Sequence, residues 1–299
     1  MKLLIQLTFN NGLGNLYCGA VEVLHFVQKY KNLGYECELI FASNGTHGGN
    51  KFIGFLNFED IFDLESFKIF NRIRSFEHSI SDKEFEGYTY HSTQYGPNHP
   101  GAHWWDVFFD VIPDEVFPKH AYNMETLISN QHVPFLLPKF NKKVYQKTNK
   151  FRKKNKKVNK SIQVRYYDYN INVNDDFKLL TKNIYDKLLD SKNIFHLSSN
   201  NQYLIDTLKS LNSIKTYEYK HLDILPNDHS YFFYHRHIDN SILLERIYDN
   251  LSEMVLLSYY DEIYYYTSFS WITTFLYYSR SNNPTQKLIN INSNIDLIK

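Results

Sequence analysis

Ser268 and Ser270 stand between an aromatic, β-branched run, Ile263-Tyr264-Tyr265-Tyr266-Thr267, and an apolar run, Ile272-Thr273-Thr274-Phe275-Leu276. That order reads as a strand, a hydroxyl-rich turn and a helix. Unpaired N–H groups and the helix dipole make such a helix start a site for anions. The same serines also suit plain N-caps, and both readings stay open. A second stretch is Gln163-Val164-Arg165-Tyr166-Tyr167-Asp168-Tyr169. The strand pattern ends near Tyr166, which places Arg165 close to a strand's carboxyl end, the edge where open α/β sheets bind ligands. A guanidinium there can grip a phosphate through two parallel N–H bonds; the plainer alternative is a surface arginine paired with Asp168. A third is Asn11-Gly12-Leu13-Gly14-Asn15, a turn between a strand and a helix. Tyr17 occupies the place of a third glycine, so the turn is not a dinucleotide fingerprint. Its backbone can still approach a phosphate or sugar. The fourth is Leu197-Ser198-Ser199-Asn200-Asn201, where Ser199 or Asn200 either caps the next helix or faces a ligand.

The elements that position these residues follow from periodicity. Residues 3–8 form an apolar strand. Apolar residues at Leu16, Ala20, Val23, Leu24, Val27 and Tyr30 have helical spacing over 16–33, and Gly34 stands where a helix C′ residue belongs. A strand follows at 37–42, and the order predicts a parallel sheet with a right-handed crossover. Residues 43–50 read as a loop, and 52–70 give short apolar segments without a clear period. A loop rich in Gly, Pro, His and Trp spans 95–106, with Trp104 and Trp105, and a helix is predicted over 114–131. The second half alternates again. Strands are predicted at 161–166, 193–198, 214–219 and 262–267, and helices at 175–189, 200–211, 240–257 and 268–279.

Between the halves, residues 141–160 hold ten Lys or Arg and no acid. This stretch reads as a solvated basic linker or surface loop. A nucleic-acid patch is the sharper alternative, but regular aromatic interleaving is absent. The expected organisation is 1–140 as one α/β domain, 141–160 as the linker and 161–299 as a second α/β domain. The fold class is α/β, two doubly wound domains facing across a cleft.

With 43% apolar and 22% charged residues the chain can build real cores, and its formal charge of +1 gives no general pull toward nucleic acid or membrane. The 25 Tyr and 23 Phe suit half-buried strands and polar clefts. Two cysteines, Cys18 and Cys37, support neither a disulfide scaffold nor a thiolate metal site. The apolar start is too short for a signal peptide, no run reaches the length of a membrane span, and a cytoplasmic protein is expected. The triplets at Asn44 and Asn250 fit N-glycosylation acceptors by chance alone. His99 and His103 have the spacing of a helical zinc pair, but Pro100 and Gly101 between them work against the helix, and no metal is expected.

Taken together, these stretches resemble the bacterial-type α-1,2-fucosyltransferases and the wider GT-B fucosyltransferase superfamily. Gly12-Leu13-Gly14-Asn15 resembles the family's N-terminal glycine turn, and Gln163 to Tyr169 resembles its His-x-Arg-Arg-Gly-Asp-Tyr motif. Asn193 to Asn200 resembles a strand ending in an acidic pair. Glu253-Met254-Val255-Leu256-Leu257-Ser258, then Thr267-Ser268-Phe269-Ser270-Trp271, resembles the family's most specific run, and Asn283-Pro284 with Lys287 resembles its closing strand. The matches occur in the family's order across nearly the whole chain.

The resemblance implies a GT-B-like enzyme that transfers fucose from GDP-fucose to a glycan hydroxyl with inversion, without metal or cofactor. It implies a C-terminal nucleotide-sugar domain and an N-terminal acceptor domain. Donor-binding residues would be Gly12, Gly14, Asn15, Arg165, Ser199, Asn200, Thr267, Ser268, Phe269 and Ser270. Arg165 would bind the diphosphate and Asp168 would sit beside the nucleotide or orient Arg165. An inverting transfer needs a base for the acceptor hydroxyl, and His103, Asp106 and Asp110 of the aromatic loop are the candidates. The partners are then a nucleotide-sugar donor and a glycan acceptor, with no nucleic acid and no integral membrane segment. This chain departs from the motifs at Gln163, Tyr166 and Tyr167, which replace a His, an Arg and a Gly, and at Ser199 and Asn200, which replace the acids. Another sugar nucleotide, or a catalytically silent glycan- or nucleotide-binding protein, are the alternative readings.

Overall fold

The computed structural model describes residues 2–8, 13–44, 46–47, 50–51, 56–78, 89–92, 137–165, 175–188, 193–199, 201–219, 239–267 and 283–291. The chain divides into two compact units, Met1–Lys143 with Phe232–Tyr248, and Val144–Tyr231 with Asp249–Lys299.

The first unit is built on β1 (Lys2–Thr8), whose residues Leu3, Leu4, Ile5 and Leu7 are all buried. Consecutive burial of this kind marks a central parallel strand covered on both faces. Helix α1 (Leu13–Asn32) follows, then β2 (Glu36–Asn44). Gly34 at φ +82° ends α1. The N–H of Tyr35 donates to Tyr30 O at 3.0 Å and that of Gly34 to Lys31 O at 3.0 Å. The Tyr30 and Tyr35 rings meet edge-on at 5.1 Å. This is the Schellman arrangement that a C′ glycine permits. Residues expected as a loop after β2 hold two short antiparallel strands, β3 (Thr46–His47) and β4 (Asn50–Lys51).

The unassigned apolar segment 52–70 holds a helical turn, α2 (Phe58–Ile61), and a 3-10 turn (Leu64–Phe67), and β5 (Arg72–His78) follows. Phe58 is their hub, with ring centroids 5.7 Å from Phe41 and 4.7 Å from Phe67. Strand β6 (Thr89–Ser92) completes a sheet of order β5-β2-β1-β6. Every pairing in it is parallel.

The larger part of the basic stretch 141–160 is helical rather than loop. It forms helix α3 (Lys142–Lys154), with Val144, Thr148 and Phe151 buried on one face. Those three fall at helical spacing, but so few apolar residues among ten cations left the period invisible in the sequence. Then come β7 (Lys160–Arg165), α4 (Asp175–Asn183) with a π turn at Ile184–Leu188, and β8 (Phe195–Ser199). These are followed by α5 (Gln202–Leu208), β9 (Ile214–Thr216), α6 (Asn240–Leu257), β10 (Glu262–Thr267) and β11 (Lys287–Asn290).

The second sheet has the order β11-β10-β7-β8-β9, again with parallel pairs throughout. From β7 the chain moves outward through β8 to β9, then returns to the other side of β7 with β10 and β11. The boundary between β7 and β10 is therefore a topological switch point, where connections leave in opposite directions. One face of this sheet packs an apolar core of Ile162, Val164, Leu180, Ile184, Leu197 and Leu204, with Tyr264. The predicted helices at 114–131 and 268–279 lie outside the described residues.

Candidate functional site

The register of the second sheet brings three of the expected site positions to one edge. Thr267, the last residue of β10, pairs with Arg165, the last residue of β7. One strand further, Val164 pairs with Ser199, the last residue of β8. All three therefore end their strands at the carboxyl edge, with Thr267 and Arg165 on the two sides of the switch point. In open α/β sheets this is where connections diverge and leave room for a ligand. Thr267 and Arg165 are about a hundred residues apart in sequence, and only the sheet makes them neighbours.

Ser199 is already engaged locally. Its Oγ accepts a hydrogen bond from the Asn201 N–H at 3.0 Å. The cap of α5 is Asn201, whose Oδ1 accepts from the Leu204 N–H at 3.0 Å. Sequence reading placed the cap at Ser199 or Asn200; the helix starts later, and Asn201 caps it instead. The Ser199 hydroxyl keeps its own proton to donate and a further lone pair.

Gln163 comes two residues before Arg165 on β7 and is 4% exposed. It pairs with Tyr265 and Ser198 in register. Where the family motif has an ionisable imidazole, this strand thus carries a buried neutral amide.

Below this edge, toward the amino end of the same sheet, lies a buried polar cluster that sequence reading missed. His196 on β8 is fully buried, and its Nε2 lies 2.9 Å from Glu253 Oε1 of α6. The approach is close but off the line a hydrogen bond needs, since Nε2 has no aligned partner. On the other side of the ring, Ser161 Oγ sits 3.5 Å from Nδ1 and donates to the His196 carbonyl at 3.1 Å. The Tyr219 hydroxyl donates to Glu253 Oε2. Burial, followed by the Glu253 charge, pushes the Tyr260 phenol well above its ordinary range. Burial and then Asp249 do the same to Tyr217. Lys147 Nζ pairs with Asp249 at 2.6 Å. Serine, histidine and carboxylate in sequence invite a catalytic reading, but Ser161 and His196 have no exposure to solvent. Their contacts join α6 to β7 and β8. The one signal available was Glu253, polar within the apolar run of its helix.

In the first unit, Gly14 and Asn15 lie in the first turn of α1, directly after β1. Strand β1 also flanks a switch point, because β2 and β5 lie on one side of it and β6 on the other. Gly12, His103, Asp106, Asp110, Asp168, Asn200, Ser268, Phe269 and Ser270 lie outside the described residues. Among the described residues, no group of three or more His, Cys, Asp or Glu is placed to hold a metal ion, and no helix is long and apolar enough to cross a membrane.

No family model matches this chain, and no curated protein matches it in sequence. Solved structures do. The fucosyltransferase NodZ from Bradyrhizobium matches over 98% of this chain and 97% of its own, with a TM-score of 0.51 and 11% identity. The chain has the NodZ fold. The class is thus α/β and GT-B-like. A variant of Arabidopsis thaliana FUT1 in complex with GDP matches over 97% of this chain and 70% of its own, at a TM-score of 0.49 and 13% identity. POFUT1 in complex with GDP-fucose matches over 97% of each chain, at a TM-score of 0.44 and 9% identity.

Proposed function

We propose that this chain is a metal-independent glycosyltransferase of fucosyltransferase type, which moves fucose from GDP-fucose to a glycan hydroxyl with inversion. The observation that carries this reading is the pairing of Thr267 with Arg165 at the switch point of the second sheet. The two most informative motifs of the sequence thereby meet at the edge where such sheets bind nucleotides. The NodZ fold supports the same reading. Chemically, the leaving GDP gains negative charge as its bond to fucose breaks. A guanidinium at Arg165 and N–H groups following Thr267 would stabilise that charge more in the transition state than in the ground state. Asp168 orients Arg165 or meets the nucleotide. Gly12, Gly14 and Asn15 give the backbone a close approach to the donor, and His103 or Asp106 takes the acceptor proton.

The test is calorimetry with GDP-fucose, GDP-mannose, UDP-glucose and GDP, without added metal, followed by transfer assays. GDP-fucose binds most tightly, and Arg165→Ala weakens it by about tenfold to a hundredfold, the size of a charge-assisted hydrogen bond. Unchanged binding in Arg165→Ala removes that residue from the site. Donor binding with neither transfer nor hydrolysis leaves a binding protein.

One observation favours a second reading. A serine stands at position 199 in place of a carboxylate, and its hydroxyl is already held by the Asn201 N–H. One hydroxyl accepts less from guanine N–H groups than a carboxylate pair does. A different sugar nucleotide is the form this reading takes, and the same donor panel separates the two.

A further inference from the structure

We infer that the end of α3 and the turn after it form a docking surface for an anionic lipid bilayer. Ten of the 33 Lys and Arg residues fall in 141–160 without an acid, so the remaining 23 face 32 Asp and Glu, a balance of −9 over the rest of the chain. A nearly neutral protein thus concentrates its positive charge in one place. The fold holds that charge on a rigid support, because Thr148 Oγ1 donates to the Ser252 carbonyl at 3.1 Å and Phe151 is buried. Lys150, Arg152, Lys153, Lys154, Lys156 and Lys157 are all exposed.

A basic last turn is ordinary, since it complements the helix dipole. Lys156 and Lys157 lie beyond the helix, outside its last turn, so capping of that turn does not account for them. Among the described residues the exposed cations find one acid, Glu218, whose 2.5 Å pair with Lys154 is open to solvent at 67% and 82% exposure and therefore strongly screened.

Two further observations select a membrane. Tyr259 is 44% exposed and carries the Arg152 guanidinium 3.7 Å above its ring. A half-exposed tyrosine beside cations suits the headgroup layer, where the ring is apolar and the hydroxyl wet. Regular aromatic interleaving of the kind that stacks bases is missing, which disfavours a nucleic acid. The position also suits a tethered protein. The turn leads into Lys160, at the amino end of β7, where the Asp261 N–H donates to the Asn159 carbonyl at 2.8 Å. Arg165 and Thr267 end their strands at the opposite, carboxyl edge of that sheet. Docking by one edge leaves the other open.

The experiment is sedimentation of the full chain with phosphatidylcholine vesicles and with vesicles holding a third phosphatidylglycerol. The protein binds the anionic vesicles and not the neutral ones, and binding falls at least tenfold in high salt. The variant Lys150→Gln, Lys153→Gln, Lys156→Gln, Lys157→Gln loses at least tenfold in binding, while Lys68→Gln, Lys139→Gln, Lys178→Gln, Lys182→Gln keeps it. An unchanged thermal transition and unchanged nucleotide binding in the first variant show that only the surface was altered. Equal binding of both variants, no preference for anionic vesicles, or tighter binding to single-stranded DNA than to the vesicles overturns the inference.

Discussion

His196 and Glu253 show how much a single buried contact can decide. Both were taken out of water; they lie 2.9 Å apart without an aligned hydrogen bond, with Ser161 Oγ near the imidazole and the Tyr219 hydroxyl donating to the carboxylate. Removing one member of such a pair leaves an uncompensated polar group in the core, at a typical cost of about 3 kcal/mol. Glu253→Leu should therefore lower the unfolding free energy measured by urea titration by about 3 kcal/mol. The double variant His196→Leu, Glu253→Leu should recover much of it, because apolar groups of similar volume need no partner. Additive losses would show that the two residues act separately. At this scale the sequence was readable for charge type and unreadable for partner. Glu253 and His196 are far apart in the chain, and nothing local announces their contact.

The ends of elements carry the next predictions. Gly34 has φ +82°, and a Cβ built there meets nothing within 4 Å. Gly34→Ala thus isolates backbone strain from packing and should destabilise by about 1 kcal/mol in denaturant titration. Gly34→Asn should cost less, because Asn tolerates that region. A loss above about 3 kcal/mol would mean something besides strain is involved. Glu262 opens β10, where it accepts from the Tyr264 hydroxyl at 2.9 Å and pairs with Lys160 at 2.8 Å. The Lys160 hydrogen bond, foremost, holds its carboxyl below the ordinary value. A depressed folded value contributes stability above the unfolded pKa and loses it as pH falls through the folded one. Glu262→Gln should accordingly be less stable than the native chain at neutral pH, by about 0.5–1 kcal/mol after solvent screening. The difference should vanish in acid; a difference that persists below pH 3 would assign it to packing.

Helix α3 and α6 matter at the scale of the whole molecule. The division into two units falls inside both of them, between Lys143 and Val144 and between Tyr248 and Asp249. The stretch 232–248 groups with the first unit although it follows most of the second in sequence. Order along the chain alone assigned it to the second half. Charge is also distributed at this scale, with the basic surface at one end of the second sheet and the expected donor edge at the other.

What the sequence by itself determined is what depends on neighbours within a few residues. Apolar periods revealed β1, α1, β7, α6 and β10, Gly34 revealed the end of α1, and the motif order pointed to the GT-B-like fold that NodZ shares. Only the tertiary structure decided which strands lie side by side. The order β11-β10-β7-β8-β9 sets Thr267 against Arg165, turns a presumed linker into a half-buried helix and gives His196 its carboxylate. The reason is physical. Periodicity and turn chemistry act through local sterics and local hydrogen bonds. Strand neighbours, and the partners that make a buried polar group affordable, are set by contacts between segments far apart in the chain.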